Sequence, residues 1–563
     1  ALPVEMYTEP THYVLSQWDK NTYVPYFDAR PIQERTLPDD GSKYPYLTVG
    51  DFLEDTIIQV PYKFNSAGYF NGNDESPDSD TSYILPLKKT FFDYFTVEDL
   101  LNKKIRNKHR IEIKRLIGSA VKVILRIPIK EGGYIQYEKM YNKDIQPDPI
   151  NNKGAIIERE FTLGLYPGIK YSSGYRVSLL DRDSVFGPDN LYSLKFFNES
   201  NDEVPIDGVV RRNRNTDNTR FDKRYIDSVT YALKDKWQYI SIAHENDTNI
   251  HGVIIPRLEH RNGSRKFRFA IDFGTTNTHI EYSIDGASSN AFDITEKDTQ
   301  IQKLHITDDF AINSVFNSDF IPDTIGGDSL YGYPMRTVIA EGNNTNWEKA
   351  VLSMGNVNIP YTYEKSLALQ YDVLHTDLKW STNKEDKRRA SKYIENILLM
   401  LRTKVLMNGG DLRKTEIVWF YPASMTQNRF NKFKTEWDQT FSSLFNAPTS
   451  NIIAVSESVA PYLYHRAKKG ATSTAVSVDI GGGTTDVLIA DKGEPKYLTS
   501  FRFAANTIFG DGYSYDSDSN GFVNKYTNPI SNLLEVNNLQ ALQEVFKASL
   551  DNRVSTDIIA FLF

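Results

Sequence analysis

The chain has no cysteine in its 563 residues. That absence excludes disulfides, thiolate nucleophiles and cysteine-ligated zinc or iron–sulfur centres, and it suits a reducing compartment. Histidine is scarce at nine residues, and none falls in an H-x-x-x-H pair or another metal-ligand spacing. No run of the roughly 18 apolar residues that a membrane span requires occurs, and mean hydropathy is −0.47. An excess of positive charge is lacking too. The net charge of −8 gives no global drive toward nucleic acid or anionic membrane. The first residues, Ala-Leu-Pro-Val-Glu-Met-Tyr, lack both an initiator Met and a charged-then-apolar signal region. They read as a trimmed or processed end of a cytoplasmic protein. The last residues, Ile558 to Phe563, are apolar without a polar tail, and read as a chain cut short or a segment that needs more protein around it.

What is present is a long chain, 40% hydrophobic and 13% aromatic, with 32 Gly and 24 Pro. It is too long for one core and predicts three or four domains. Residues 1–260 read as mostly β, sandwich-like, with turn residues at short intervals. The clearest strands are Ala120–Ile129, Ile156–Leu163, Tyr175–Leu179 and Tyr192–Phe196. A short helix is expected from Thr96 to Lys104, with Thr96 as N-cap and Asp99 three residues on. Asn71–Thr81 and Asn198–Arg224 read as exposed loops. The first 85 residues are set apart as a small N-terminal unit, and 86–264 as a β-rich accessory domain. The basic run Lys103, Lys104, Arg106, Lys108, Arg110, Lys114, Arg115 lacks interleaved aromatics and reads as a solvated face, with no nucleic acid predicted.

From about residue 265 strands alternate with amphipathic helices, the α/β pattern. Between Glu385 and Asn408, the residues Ile394, Ile397, Leu398, Leu401 and Val405 fall on one helical face, and Gly409-Gly410 closes the segment. A buried strand Ile417–Tyr421 follows. Ser424-Met425-Thr426-Gln427 has the form of a capping box, and Phe430, Phe433, Trp437 and Phe441 form the next helix's apolar stripe. Strand Ile452–Val455 and a helix from about Ser458 to Lys468 come next.

Two turns stand out. Phe267–Ile271 leads into Asp272-Phe273-Gly274-Thr275-Thr276-Asn277-Thr278, and Ala475–Val478 leads into Asp479-Ile480-Gly481-Gly482-Gly483-Thr484-Thr485-Asp486. Glycine lets backbone N–H groups converge on a phosphate, threonine hydroxyls can donate to its oxygens, and an aspartate at the strand end can hold the water shell of Mg²⁺. A second strand follows each turn, so each is a β-hairpin. This separates them from a P-loop, whose glycines lead into a helix with Gly-Lys-Ser/Thr, and no dinucleotide fingerprint is present.

These turns resemble the phosphate-1 and phosphate-2 motifs of the actin, sugar-kinase and heat-shock-chaperone ATPase superfamily, in its DnaK-type, MreB/FtsA and ParM-like branches. Ser456-Glu457-Ser458-Val459-Ala460 resembles the family's connecting motif, and Tyr421-Pro422-Ala423 its strand–helix step. The likeness covers residues 265 to about 515. It implies a two-lobed, actin-like (ribonuclease-H-like) α/β ATPase domain, with lobes over 265–475 (holding an inserted subdomain) and 476–563, the second incomplete. It implies that Asp272 and Asp479 hold Mg²⁺ through water, and that Gly274, Thr275, Thr276, Asn277, Gly481, Gly482, Gly483, Thr484 and Thr485 cradle the phosphates of ATP. Glu457 and Asp486 would orient the attacking water. For the lysine that the chaperones place on the γ-phosphate, Lys379 in Asp377-Leu378-Lys379 is one candidate and Arg336 a second. Asn506 to Gly512 resembles a later chaperone segment, while the family's adenosine motif has no counterpart.

The expected function is ATP binding and hydrolysis in a chaperone-like or actin-like protein, whose lobe closure regulates a protein partner bound through the N-terminal β-rich region. A small-molecule kinase of the same superfamily and a non-hydrolysing scaffold or filament protein stand as alternatives.

Overall fold

The computed structural model describes residues 25–35, 46–76, 80–129, 133–182, 192–214, 226–247, 249–261, 263–361, 372–470, 474–506 and 521–551. The expectations for the C-terminal apolar segment, and for Thr507 to Gly512, lie outside them. The chain divides into two compact units, residues 1–260 with 302–315, and residues 261–301 with 316–563.

The first unit is built on β-sheets. In a six-stranded sheet the spatial order is Ser82–Tyr83, Thr56–Val60, Lys153–Glu158, Gly133–Asn142, Val121–Ile129, Ile111–Arg115. Residues 46–85 therefore do not stand apart. Thr56–Val60 pairs in parallel with Lys153–Glu158, and Leu47, Phe52 and Ile57 share one core with Val123, Leu125 and Ile156. A five-stranded and a three-stranded sheet share a second core, in which Leu163, Val177 and Val229 meet Leu194, Phe196 and Ile240. Residues Gln302–Lys303 add the last strand of the five-stranded sheet, so the first unit recruits a segment from beyond residue 264.

Several local expectations are corrected here. Ile156–Leu163 is not one strand: Lys153–Glu158 and Phe161–Tyr166 belong to different sheets, broken at the charged pair Arg159-Glu160. The stretch read as a loop from Asn198 holds the strand Ile206–Arg212, whose Val210 and Arg212 are buried. The helix capped by Thr96 does form its capping box with Asp99, but it ends at Leu101. Lys104–Ile105 then turns through Arg106 and Asn107, both at positive φ, into Lys108–His109. Four of the seven residues of the basic run pair locally with acids: Lys103 and Arg110 both reach Asp99, Lys114 reaches Glu112, and Arg115 reaches Asp74.

In the second unit the first hairpin is β1 (Phe267–Phe273) and β2 (Asn277–Ile284). Strand β3 (Glu416–Tyr421) runs parallel to β1, and β4 (Ile452–Ser456) runs parallel to β3. The second hairpin, β5 (Thr474–Ile480) and β6 (Thr485–Asp491), continues into β7 (Glu494–Phe501) as an antiparallel meander. The sheets are thus mixed in sense.

Helix α1 (Lys384–Met407) starts at Asn383, whose side chain accepts the Asp386 N–H, and ends where Gly409 takes positive φ. Its predicted stripe is fully buried, and its last turns are buried all round, including Arg402, Thr403 and Lys404. Helix α2 (Gln427–Phe445) carries Trp437, Phe441 and Phe445 into the core, with Phe430 and Phe433 only half-buried. Its N-cap is Thr426 and no side-chain cap bond forms. Ser424 does not cap it either, because its hydroxyl accepts from Ser500 instead. Helix α3 (Ala460–Lys469) ends at Gly470, and its Tyr462 packs on Leu488 and Ala490 of β6. The other face of the β5–β7 meander carries Val476, Val478, Ile480, Tyr497 and Phe501, all exposed among the described residues. Helices α4 (Gly521–Val536) and α5 (Gln540–Asp551) pack on each other around Leu534 and Phe546.

Candidate functional site

The carboxyl ends of the parallel strands β1, β3 and β4 lie side by side, which is where open α/β sheets hold ligands. A cleft of about 320 Å³ opens there, and its lining includes Asp272, Phe420, Glu457, Pro461 and Asp479. Both glycine turns border it, through Gly274 to Asn277 and through Gly481, Gly482 and Thr484. Two turns separated by about 200 residues of sequence therefore line one cavity.

The turns are built alike. In the first, Phe273 pairs with Thr278, and in the second Ile480 pairs with Thr485, so each hairpin closes over a four-residue loop. Their carbonyls are taken by the surrounding protein. The Thr337 hydroxyl donates to the Gly274 carbonyl at 2.8 Å, and the Thr337 N–H to that of Thr276 at 2.8 Å. The N–H of Ala505 donates to the Gly481 carbonyl at 3.1 Å, and that of Asn506 to Gly482 at 2.8 Å. In a trans peptide the N–H of the next residue points opposite to the carbonyl. The N–H groups of Thr275, Gly482 and Gly483 therefore face away from those anchors, and none of the three meets a protein acceptor among the described residues. Unpaired N–H donors from two turns bordering one cleft are the kind of arrangement that can receive an anion.

The turns also touch. A Cβ built on Gly482 would lie 1.9 Å from the Thr276 hydroxyl oxygen, and one on Gly483 would lie 2.6 Å from that of Thr275. Glycine is required here by close approach, not by backbone angle. Within the first turn, a Cβ on Gly274 would lie 2.4 Å from the Asn277 carbonyl oxygen. Each threonine hydroxyl has a partner: Asn506 holds Thr276 at 2.9 Å, and Trp380 Nε1 donates to Thr275 at 2.9 Å. Since an indole N–H only donates, the Thr275 hydroxyl accepts there and keeps its own hydrogen for a ligand.

Four carboxylates gather at this end of the sheet. Glu457 follows β4, and its N–H donates to the Tyr421 carbonyl at 2.8 Å, which fixes its position. Its carboxylate pairs with Lys379, a fully buried ammonium. Burial, opposed by Lys379 and assisted by Asp272 and Asp486, pushes the Glu457 carboxyl up to about 7. Burial also raises Asp272, against the pull of Lys379 and His279. Asp272 keeps water-accessible surface although protein crowds most of the volume around it. That surface borders the cleft, so desolvation is partial and the upward direction stands. Asp479 is raised by burial and by Asp272 and Asp486. In β5–β6, Asp479 sits directly across from Asp486, a like-charge pairing that costs stability unless a cation relieves it. Among the described residues no three acidic or histidine side chains form a direct metal-ligating group. Two separated, mutually repelling aspartates suit a cation held through water.

Of the sequence-predicted residues, Asp272, Gly274, Thr275, Thr276, Asn277, Glu457, Asp479, Gly481, Gly482 and Thr484 line the cleft. Lys379 enters through its pair with Glu457. Gly483 lies behind Thr275. Asp486 is buried and accepts from the Ser458 hydroxyl at 2.8 Å, while Thr485 donates to the Phe503 carbonyl at 2.6 Å. These two stand behind the site rather than in its wall. Arg336 is buried against Asn277, at 3.4 Å, and supports the first turn. Sequence reasoning gave no role to Thr337, Trp380 or Ser458, although each lies beside a residue already singled out: Arg336, Lys379 and Glu457.

No family profile matches the chain, and no curated protein matches it. Among solved structures, MreB5 of Spiroplasma citri bound to ADP superposes with a TM-score of 0.26 at 13% identity, covering 47% of this chain and 58% of that one. The same protein bound to AMPPNP gives 0.24 at 12% identity, covering 43% and 54%. The chain thus spans little more than half the length of these solved chains. At such scores the likeness carries no argument, and the functional reading rests on the site. No described helix is long and apolar enough to cross a membrane.

Proposed function

We propose that the second unit is an actin-like, two-lobed ATPase that binds Mg-ATP between the two glycine turns and hydrolyses it. The observation that carries this is the pair of turns with carbonyls anchored outward and N–H groups of Thr275, Gly482 and Gly483 left for an anion, at one cleft with Asp272 and Asp479. Phosphoryl transfer needs mainly positioning and charge neutralisation. The turns position the phosphate chain. Asp272 and Asp479 hold the water shell of Mg²⁺, and the bound ion would neutralise phosphate charge and relieve the repulsion between the two aspartates. Glu457 accepts a proton from the attacking water, and Lys379 holds it in place. Asp486 and Ser458 fix the start of α3 behind it. In the same proposal, closure of the lobes on the nucleotide regulates a protein partner, with the β-rich first unit as the partner-binding module.

Calorimetric titration with Mg-ATP tests the binding claim. The intact chain binds, and Asp272→Ala and Asp479→Ala each weaken binding by about tenfold to a hundredfold, the scale of one charge-assisted contact. Full binding by both variants would remove the proposed cation site.

The proton-accepting role carries its own pH signature. Glu457 accepts a proton only when ionised, and its carboxyl sits near pH 7. Phosphate release followed from about pH 5 to about pH 9 therefore rises through one ionisation near neutrality. Glu457→Gln abolishes that rise; a variant that kept it would show that another group is the base.

A further inference from the structure

Besides the buried Arg336 that supports the first turn, three cations lie close to it, and two of these are already committed. Lys379 is spent on Glu457. Arg429 donates to the carbonyls of Lys379 at 2.9 Å and Ser381 at 2.6 Å, holding the loop that carries Lys379 and Trp380. The third is Arg502, one residue past β7. Its guanidinium lies 4.7 Å over the Trp380 ring, while Arg429 sits over the same ring at 5.7 Å. Among the described residues Arg502 has neither an ion pair nor a hydrogen-bonding carboxylate, and it is exposed.

We propose that Arg502 is an anion-binding residue of the nucleotide site, held beside the phosphate chain by Trp380. This rests on the nucleotide-binding function proposed above. The geometry forms a short relay. Trp380 Nε1 donates to the Thr275 hydroxyl at 2.9 Å, and the Thr275 turn lines the cleft. The indole ring therefore fixes both the hydroxyl that faces the ligand and the guanidinium stacked on its face. Arg502 follows Phe501, which pairs with Thr485, so it stands at the same end of the meander as Gly481 to Thr484, and the first turn and the second hairpin meet at this one indole.

Charge explains why such a residue is needed. The cleft already gathers Asp272, Glu457 and Asp479, and a nucleotide brings several further negative charges. Lys379 is one charge, paired with Glu457 and reaching Asp272 and Asp479 only through space. A guanidinium offers a planar fork of donors that matches phosphate oxygens, and Arg502, itself exposed over the buried Trp380 ring, can keep its stacking and still turn that fork to an anion. Arg429 cannot take that role without releasing the two carbonyls that shape the Lys379 loop. Two guanidiniums over one ring repel each other, and an anion between them relieves that repulsion.

The test is a titration of the full chain with Mg-ATP and with inorganic tripolyphosphate, which has no base or sugar. Arg502→Gln is expected to weaken both ligands by about tenfold, and Arg502→Lys by about threefold or less. Thermal unfolding shifts little, because the side chain is exposed and packs only by stacking on Trp380 among the described residues. Trp380→Phe keeps a ring under Arg502 but loses the bond to Thr275, and weakens both ligands to an intermediate degree. If Arg502→Gln binds both ligands as the unaltered chain does, Arg502 has no part in the site while the nucleotide-binding function stands. If the unaltered chain binds neither ligand, that function falls, and the role of Arg502 falls with it.

Discussion

Replacing Gly482 by alanine is expected to weaken Mg-ATP binding by at least about a hundredfold, although the change adds one methyl group on a surface turn. The new Cβ would lie 1.9 Å from the Thr276 hydroxyl oxygen, 2.8 Å from Thr276 Cβ and 3.1 Å from Asn506 Oδ1. Rotating the Thr276 side chain does not solve the problem, because its Cβ is fixed by the backbone and already too close. The hydroxyl is also held by Asn506, whose own N–H donates to the Gly482 carbonyl. The turns must move apart by about an ångström, and that separation pulls the free N–H groups of both turns out of convergence. Displacements of about 1 Å at a positioned site cost about two orders of magnitude. The other glycines grade the effect. Gly483→Ala meets Thr275 Oγ1 at 2.6 Å and Cγ2 at 2.8 Å, a tighter side-chain contact than Gly481→Ala makes with the Thr484 carbonyl at 3.3 Å. Titration should therefore rank the losses Gly482, then Gly483, then Gly481. Adding Thr276→Ala to Gly482→Ala removes the worst contact and restores part of the binding. Equal, unaltered affinity in all three single variants would mean that the turns do not meet.

Much of this site was legible in the sequence, and its blind spots have a common cause. Hairpins announce themselves locally: an apolar alternation, a glycine-threonine turn and a second alternation lie within about 20 residues. Glu457 was legible for a similar reason, since it sits just past a short apolar strand. The roles of Thr337, Trp380 and Ser458 were not, because each acts on a residue remote in sequence. Trp380 meets Thr275 across 105 positions, and no periodicity encodes such a contact. The capping box at Ser424 failed on the same ground: local pattern favoured a cap, but Ser500 from β7 engages the hydroxyl instead. In the first unit, strand character was legible while sheet membership was not. Ile156–Leu163 reads as one apolar run, yet its halves pair with different sheets, and Thr56–Val60 joins a parallel partner almost a hundred residues away. Register and sheet assignment depend on non-local pairing, to which composition is blind.

Lys379→Met is expected to leave the fold about as stable as before near pH 5 and to destabilise it by about 3 kcal/mol near pH 8. The sign follows from Glu457. Its carboxyl sits at about 7 in the folded chain against an ordinary 4.5, so the folded state holds a proton that the unfolded state releases. For an acid raised in this way, stability is highest below its unfolded value and is lost as pH rises from there to the folded value, by about 3 kcal/mol over that span. Lys379 is the cation that limits the rise, and it also pulls Asp272 down. Without it both carboxyls move further up, and the loss of stability continues past neutrality instead of levelling off. At low pH the balance reverses. Glu457 is then neutral, and a methionine of similar length spares the cost of burying an ammonium that is 1% exposed. Denaturant unfolding of the full chain at both pH values measures the difference, and Glu457→Gln in the Lys379→Met background should remove most of its pH dependence. Parallel stability-versus-pH curves for Lys379→Met and the unaltered chain would show that the Lys379–Glu457 pair does not control the charge of this cleft.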